Sequence, residues 1–114
     1  MLNIRTIKLP SDQQYSDEAT LLRKVKEWLE PQQRRGIKLI RISERYKKGY
    51  GDLFICVRGW FVVAELKDDT GEASPQQLKF IREMTACGAI CGVCRSVADV
   101  ARLVDEAIRR TSGV

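Results

Sequence analysis

The chain has 114 residues, 44% of them hydrophobic, with 20 basic against 15 acidic side chains and a formal net charge of +5. That is enough for one domain with a real core, and no window approaches the roughly 20 apolar residues that cross a bilayer. Histidine is absent, which excludes His-activated nucleophiles and His metal sites and leaves carboxylates, Lys and Cys to carry any chemistry.

Residues 1–15 are polar and aperiodic and read as an N-terminal arm with no evident packing role in the monomer, followed by a single domain over residues 16–114. With Arg5, Lys8 and Asp12 interrupting it, the N-terminus has no signal-peptide core, so the expectation is a soluble, cytoplasmic protein, bacterial or phage-encoded in a host cytoplasm. Ser16 is positioned as an N-cap, with Asp17 and Glu18 in the first turn, where the helix dipole favours acids. The helix carries Leu21, Leu22, Val25, Trp28 and Leu29 on one stripe and ends at Pro31. Extended back one turn, the stripe meets Glu18, an acid facing the core.

Gly36 to Ser43 reads as a strand, and "ERYKKGYG" as a basic, glycine-containing loop. The stretch "GDLFICVRGWFVVAELK" (Gly51 to Lys67) gives two strands, about Asp52 to Val57 and Trp60 to Lys67, around an Arg58-Gly59 turn. Ser74 caps a second helix, with Pro75 at its first position and a stripe of Leu78, Ile81, Met84 and Thr85 ending at Gly88. "AICGVC" is a fourth strand. From Ser96 a last helix uses Val97, Val100, Ala101, Val104 and Ile108 and closes on Arg109 and Arg110. The simplest packing of this α-β-β-β-α-β-α order is an α/β sandwich over a mixed four-stranded sheet, its last strand added in parallel after a helical crossover.

A two-residue turn sets the hairpin register and places Asp52 directly opposite Glu65, with Lys67 on the same face. Two facing carboxylates repel, and desolvation makes this worse, so a positive group must lie between them. Lys67 could be that group in a simple ion-pair cluster. A divalent cation suits the spacing better, because Mg2+ takes hard oxygen ligands from one or two carboxylates and keeps waters for a phosphate. Lys67 is then free to orient a water or stabilise an oxyanion.

Cys87, Cys91 and Cys94 are spaced for an iron-sulfur cluster or a zinc site. On a strand, however, Cys91 and Cys94 point to opposite faces, and the reading preferred is of small buried hydrophobes. Arg34, Arg35, Arg45, Lys47, Lys48 and Arg58 form a charge collection. Arg45, Lys47, Lys48 and Tyr50, just ahead of Asp52, are candidates for contacting a phosphate backbone.

"GD" followed by "ELK", and the tail "ELKDDTGEASPQQLKFIREMTACGAICGVCRSVADV" with its S-P-x-Q, resemble the PD-(D/E)XK nucleases and within them the virus-type replication-repair nuclease (VRR-NUC) domain, over roughly Asp17 to Ala107. The resemblance implies a restriction-endonuclease-like αβββαβ core and a Mg2+-dependent deoxyribonuclease, with Mn2+ able to substitute. It implies that Asp52 and Glu65 hold the metal with Glu18 and the Leu66 carbonyl, that Lys67 is the catalytic lysine, and that Glu18 and Gln77 match further site residues. Gln77 is equally readable as the second half of a Ser74 capping box. Gly51 stands where the family name has proline. Short stand-alone members resemble Holliday-junction resolvases acting as homodimers on branched DNA. The rivals are a nuclease-fold DNA-binding or nicking module without junction specificity, and an iron-sulfur protein.

Overall fold

A computed structural model describes residues 7–41 and 52–112 of the protein. The elements follow the expected order: α1 (Glu18–Leu29), a 3-10 turn (Glu30–Arg35), β1 (Ile37–Arg41), β2 (Asp52–Val57), β3 (Trp60–Leu66), α2 (Pro75–Ala86), β4 (Ile90–Cys94) and α3 (Val97–Ser112). The strands lie in the order β1-β2-β3-β4, the first two pairings antiparallel and the last parallel. This is a mixed four-stranded sheet flanked by three helices, a restriction-endonuclease-like α/β fold.

Alternation along the strands gives the sheet two unlike faces. Ile37, Leu53, Ile55, Val57, Val62, Ala64, Leu66, Ile90 and Cys94 point to one side and pack with Leu21, Val25 and Leu29 of α1 and Val97, Val100, Val104, Ala107 and Ile108 of α3. These helices can bury a stripe because their apolar residues recur at helical spacing. The opposite face carries Phe54, Phe61 and Val63, and α2 lies against it, Phe80 meeting Phe54 edge-on with ring centroids 6.3 Å apart. Phe54 and Phe61 stack at 5.1 Å.

The hairpin register is the expected one throughout, from Val57 opposite Trp60 to Asp52 opposite Glu65. The turn needs positive φ at both central residues, and Arg58 (φ 51) shares that conformation with Gly59 (φ 92). A primed turn matches the right-handed twist of the strands it joins. Arg58 also ties the turn to the entry of β1: its backbone N–H donates to the Gly36 carbonyl at 2.8 Å and its Nε to the Arg35 carbonyl at 3.2 Å.

Several local expectations are corrected. The cap of α1 is Asp17, not Ser16: its carboxylate accepts from the Thr20 N–H at 2.7 Å and the Thr20 hydroxyl at 2.9 Å, two bonds where one hydroxyl could accept a single N–H. Those bonds hold the Asp17 carboxyl below its ordinary value. The α-helix does end just before Pro31, with Glu30 as its C-cap, and the chain runs on into a 3-10 turn. Pro31 stands early in that turn, where a missing N–H leaves no bond broken. The stripe on α2 is turned by one position. Gln77 is its buried residue, Phe80, Ile81 and Met84 are half-buried, and Leu78 and Thr85 are exposed. The inward row begins at a polar residue, so a count of apolar side chains starts one position late.

The arm also has a place in the monomer, contrary to expectation. Ile7 joins the main core, Tyr15 packs against it, the Ser11 carbonyl accepts from the Ala98 N–H at 3.2 Å, and the Tyr15 carbonyl accepts from the Asp69 N–H at 2.8 Å. Backbone groups of the arm, of α3 and of the loop after β3 thereby find partners. Arg45, Lys47, Lys48, Tyr50 and Gly51 lie outside the described residues.

Gly36 sits at φ 85, and a Cβ there would come within 2.9 Å of Arg58 Cγ. Gly36→Ala is expected to destabilise the domain by roughly 1–2 kcal/mol, the cost of a left-handed non-glycine residue, read as a lower urea midpoint with an unchanged slope.

Candidate active site

Glu65 is the most unusual side chain in the sheet. It lies near the end of β3, 1% exposed, on the face shared with Val63 and Phe61, and across the ladder from Asp52. Burying an ionised carboxylate costs several kcal/mol unless it is paired and hydrogen-bonded. Lys67 Nζ approaches Glu65 Oε1 at 3.7 Å, its own side chain only 10% exposed. At that distance the pair has Coulombic attraction and no hydrogen bond. Glu65 Oε1 is accordingly buried with no hydrogen-bond partner among the described residues.

Lys67 is held by its own backbone bond and by the bonds that fix the loop after it. Its backbone N–H donates to the Cys94 carbonyl at 3.0 Å, continuing the parallel ladder one residue past β3. The following loop is closed by Asp68, whose Oδ1 accepts from the N–H groups of Thr70 (3.1 Å) and Gly71 (2.6 Å). Arg95, just after β4, donates from Nη1 to the Asp68 carbonyl at 2.7 Å. Gly71 leaves room at this turn, since a Cβ there would stand 2.9 Å from Asp68 Oδ1 and 3.7 Å from Lys67 Cδ. As a sequence "DDTGEA" reads only as a polar turn, and the roles of Asp68 and Arg95 go unseen. An aspartate three residues before a glycine is a legible turn signal, whereas nothing local marks Arg95, 27 positions away.

Of the other expected site residues, Gln77 is 6% exposed in the first turn of α2. Both halves of its capping box are formed: its side-chain oxygen accepts from the Ser74 N–H at 2.8 Å, and the Ser74 hydroxyl accepts from the Gln77 N–H at 3.1 Å. Glu18 opens α1 and is half-buried. Leu66 points its side chain into the core, so only its main chain could serve a metal. Among the described residues no three Cys, Asp or Glu side chains converge as a metal cluster; Glu65 and Lys67 approach each other to 3.7 Å.

The donor set fits a hard divalent cation in one respect that the sheet makes plain. A buried carboxylate oxygen with no donor among the described residues, on the strand residue whose ladder partner is Asp52, is an arrangement that added positive charge relieves.

The cysteines do not converge. Cys94 is in the main core and Cys91 on the opposite face, as alternation requires, while Cys87 caps the exposed end of α2. Cys87 therefore departs from the expectation of a buried hydrophobe. Burial raises the Cys91 thiol above its ordinary value, and burial with the nearby Asp99 charge raises Cys94 much further.

No protein-family model matches the chain, and no curated protein does. A solved structure described as a VRR-NUC domain is similar to it, with a TM-score of 0.59 at 26% sequence identity, covering 77% of this chain and 94% of that one.

A raised thiol pKa means less thiolate at a given pH, so the four cysteines should react unequally. With a thiol reagent at pH 8, Cys87 is expected to react first, Cys56 and Cys91 more slowly, and Cys94 only on unfolding. Site-by-site mass spectrometry checks the order. Cys94→Ala should cost about 1 kcal/mol through poorer packing, and Cys87→Ser less than about 0.5 kcal/mol, as ordinary surface changes do.

Proposed function

From the premise that this chain is a VRR-NUC domain, and thus a nuclease domain, we propose that it is a metal-dependent DNA endonuclease acting on branched DNA. The observation that carries the proposal is the buried Glu65 carboxylate, opposite Asp52 in the ladder, with Lys67 Nζ 3.7 Å away and one oxygen without a donor among the described residues. An ordinary structural ion pair closes to hydrogen-bond distance and satisfies both oxygens. This pair is held apart.

Asp52 and Glu65 would hold Mg2+, or Mn2+ in its place, with Glu18 and the Leu66 carbonyl completing the set. Lewis-acid stabilisation of charge on a phosphate is what the ion supplies when bound. The chain's own residues do the rest. Glu65 fixes the position of positive charge because its backbone is locked on both sides, in the antiparallel ladder to β2 and the parallel one to β4. Lys67, its side chain largely buried, presents an ammonium that can orient an attacking water or stabilise a developing oxyanion. Gln77, its side-chain oxygen fixed by the cap, is buried in the first turn of α2, the helix that lies against the same face of the sheet. Arg45, Lys47, Lys48 and Tyr50, ahead of Asp52 in the chain, are the proposed contacts to the phosphate backbone.

The junction reading follows from symmetry. One site cuts one strand, and resolving a four-way junction takes two cuts in strands related by a near two-fold axis, which a C2 homodimer supplies. No helix among the described residues is long and apolar enough to cross a membrane.

The test is incubation with labelled linear, flapped and four-way-junction DNA in Mg2+, Mn2+ and EDTA, beside light scattering for the dimer. Paired symmetric nicks on the junction are expected. Asp52→Ala and Glu65→Gln should lose cleavage while keeping DNA binding in EDTA, and Lys67→Ala should lose about 10²- to 10³-fold, the scale of one preorganised electrostatic contact. Mg2+ should raise the melting temperature of the wild type and not of Glu65→Gln, because only a site that binds the ion gains stability by mass action. DNA binding with no cleavage in any metal would favour the non-catalytic module instead.

A further inference from the structure

The hairpin has a second charged end. At the turn, as far from Glu65 as the strands allow, basic side chains collect that the catalytic reading does not use. Lys8, Arg34 and Arg35 line one groove of about 460 Å³ together with Trp28 and Pro31. Arg58 does not line the groove itself but adjoins it, bonded through Nε to the carbonyl of Arg35, one of its lining residues. Arg110, from the last turn of α3, lies over the Trp60 ring beside the turn, 5.7 Å from its centroid.

Compensating charge is sparse there. Glu27 borders the groove but is paired with Arg23 at 3.0 Å, and Glu106 pairs with Arg110 at 3.0 Å. Lys8, Arg34, Arg35 and Arg58 make no ion pair among the described residues.

The backbone at Arg58 points the same way independently. It is the single non-glycine residue at positive φ among the described residues, φ 51. The first position of a primed two-residue turn favours Asn, Asp or Gly, which tolerate this conformation, and arginine is a strained choice. A strained residue that leaves most of a guanidinium facing solvent, beside three further unpaired cations, is the pattern of a site kept for what it binds.

We propose that this end of the domain is a second phosphate-backbone surface, on which Arg34, Arg35 and Arg58, with Lys8, hold a duplex segment other than the one at the catalytic end. Five strand steps from position 52 to position 57 at about 3.3 Å each put the two ends roughly 17 Å apart, so a single phosphate cannot serve both. The arginines suit phosphate oxygens because a guanidinium offers planar, paired N–H donors, and Trp28 gives the groove an apolar wall for sugar. The proposal rests on the DNA-cleaving reading only for the choice of nucleic acid as the polyanion. A domain with two such surfaces discriminates branched from linear DNA without reading sequence, since only a branch brings a second duplex within reach.

The test is fluorescence anisotropy in EDTA, so that binding is read apart from cleavage, with an immobile four-way junction, linear duplex and polyglutamate. Arg58→Asn is the informative single change: it removes the charge and installs the favoured Asn-Gly turn, so its melting temperature should not fall while junction affinity does. The triple variant R34A/R35A/R58N should bind the junction at least tenfold more weakly, and its slope of log affinity against log salt should be shallower by about 0.9 for each phosphate no longer neutralised. Linear duplex affinity should fall less. Arg102→Ala, on the outer side of α3 and paired with Asp99, should leave both affinities unchanged. A triple variant with wild-type junction affinity and salt slope overturns the proposal, and so does polyglutamate binding as tightly as the junction through the same arginines. Failure of cleavage in Mg2+ with these binding results intact would refute the endonuclease reading and leave this surface standing.

Discussion

Everything at the candidate site depends on the register of one β-hairpin. A two-residue turn admits one pairing of the strands that flank it, and with Arg58 and Gly59 in the turn that pairing carries outward to Asp52 against Glu65. A slip of one residue would move Glu65 and Lys67 to the face of α1 and α3 and bring Ala64 and Leu66 out of it. That face is filled with Leu, Ile, Val and Ala, so the slipped form would bury two charges in an apolar core and remove apolar side chains from it. The hydrophobic pattern and the turn therefore enforce the same register, and the carboxylate geometry follows from both.

The sheet's two faces divide structural and chemical labour. One is covered by two helices and holds nearly the whole core. The other is only partly covered by α2, whose single buried residue is a glutamine, and it is there that a carboxylate, a lysine and that glutamine are drawn out of bulk water. A lower effective dielectric strengthens every charge interaction at such a place and raises the cost of an unsatisfied oxygen. The stability that permits this comes from the opposite face, an arrangement in which a packed scaffold carries a strained polar site on its other side.

Legibility in the sequence varies with the range of the interaction. The order of elements, the parallel addition of β4, the Ser74 cap and the opposition of Asp52 and Glu65 rest on period, punctuation and turn length, all local quantities, and the structure has them. Local signals put the cap of α1 one residue early because Ser16 and Asp17 are both good caps, and only the Thr20 contacts distinguish them. The inward row of α2 escapes a count of apolar residues because burial of Gln77 is a property of the sheet beneath it. Docking of the arm against α3 and the Asp68 loop has no local signal for the same reason.

By itself the sequence determined an α/β domain with a carboxylate pair and a lysine at one end of an apolar hairpin, since alternation along a strand and a two-residue turn leave little freedom in where those residues go. The tertiary structure alone decided that Glu65 and Lys67 stand 3.7 Å apart with one oxygen unsatisfied among the described residues, that Arg95 holds the loop beyond Lys67, and that Arg35 and Arg58 meet at the far end of the sheet. Each of these joins residues whose meeting depends on how whole elements pack, and the free energy that sets such packing is spread over the core rather than written in any one segment.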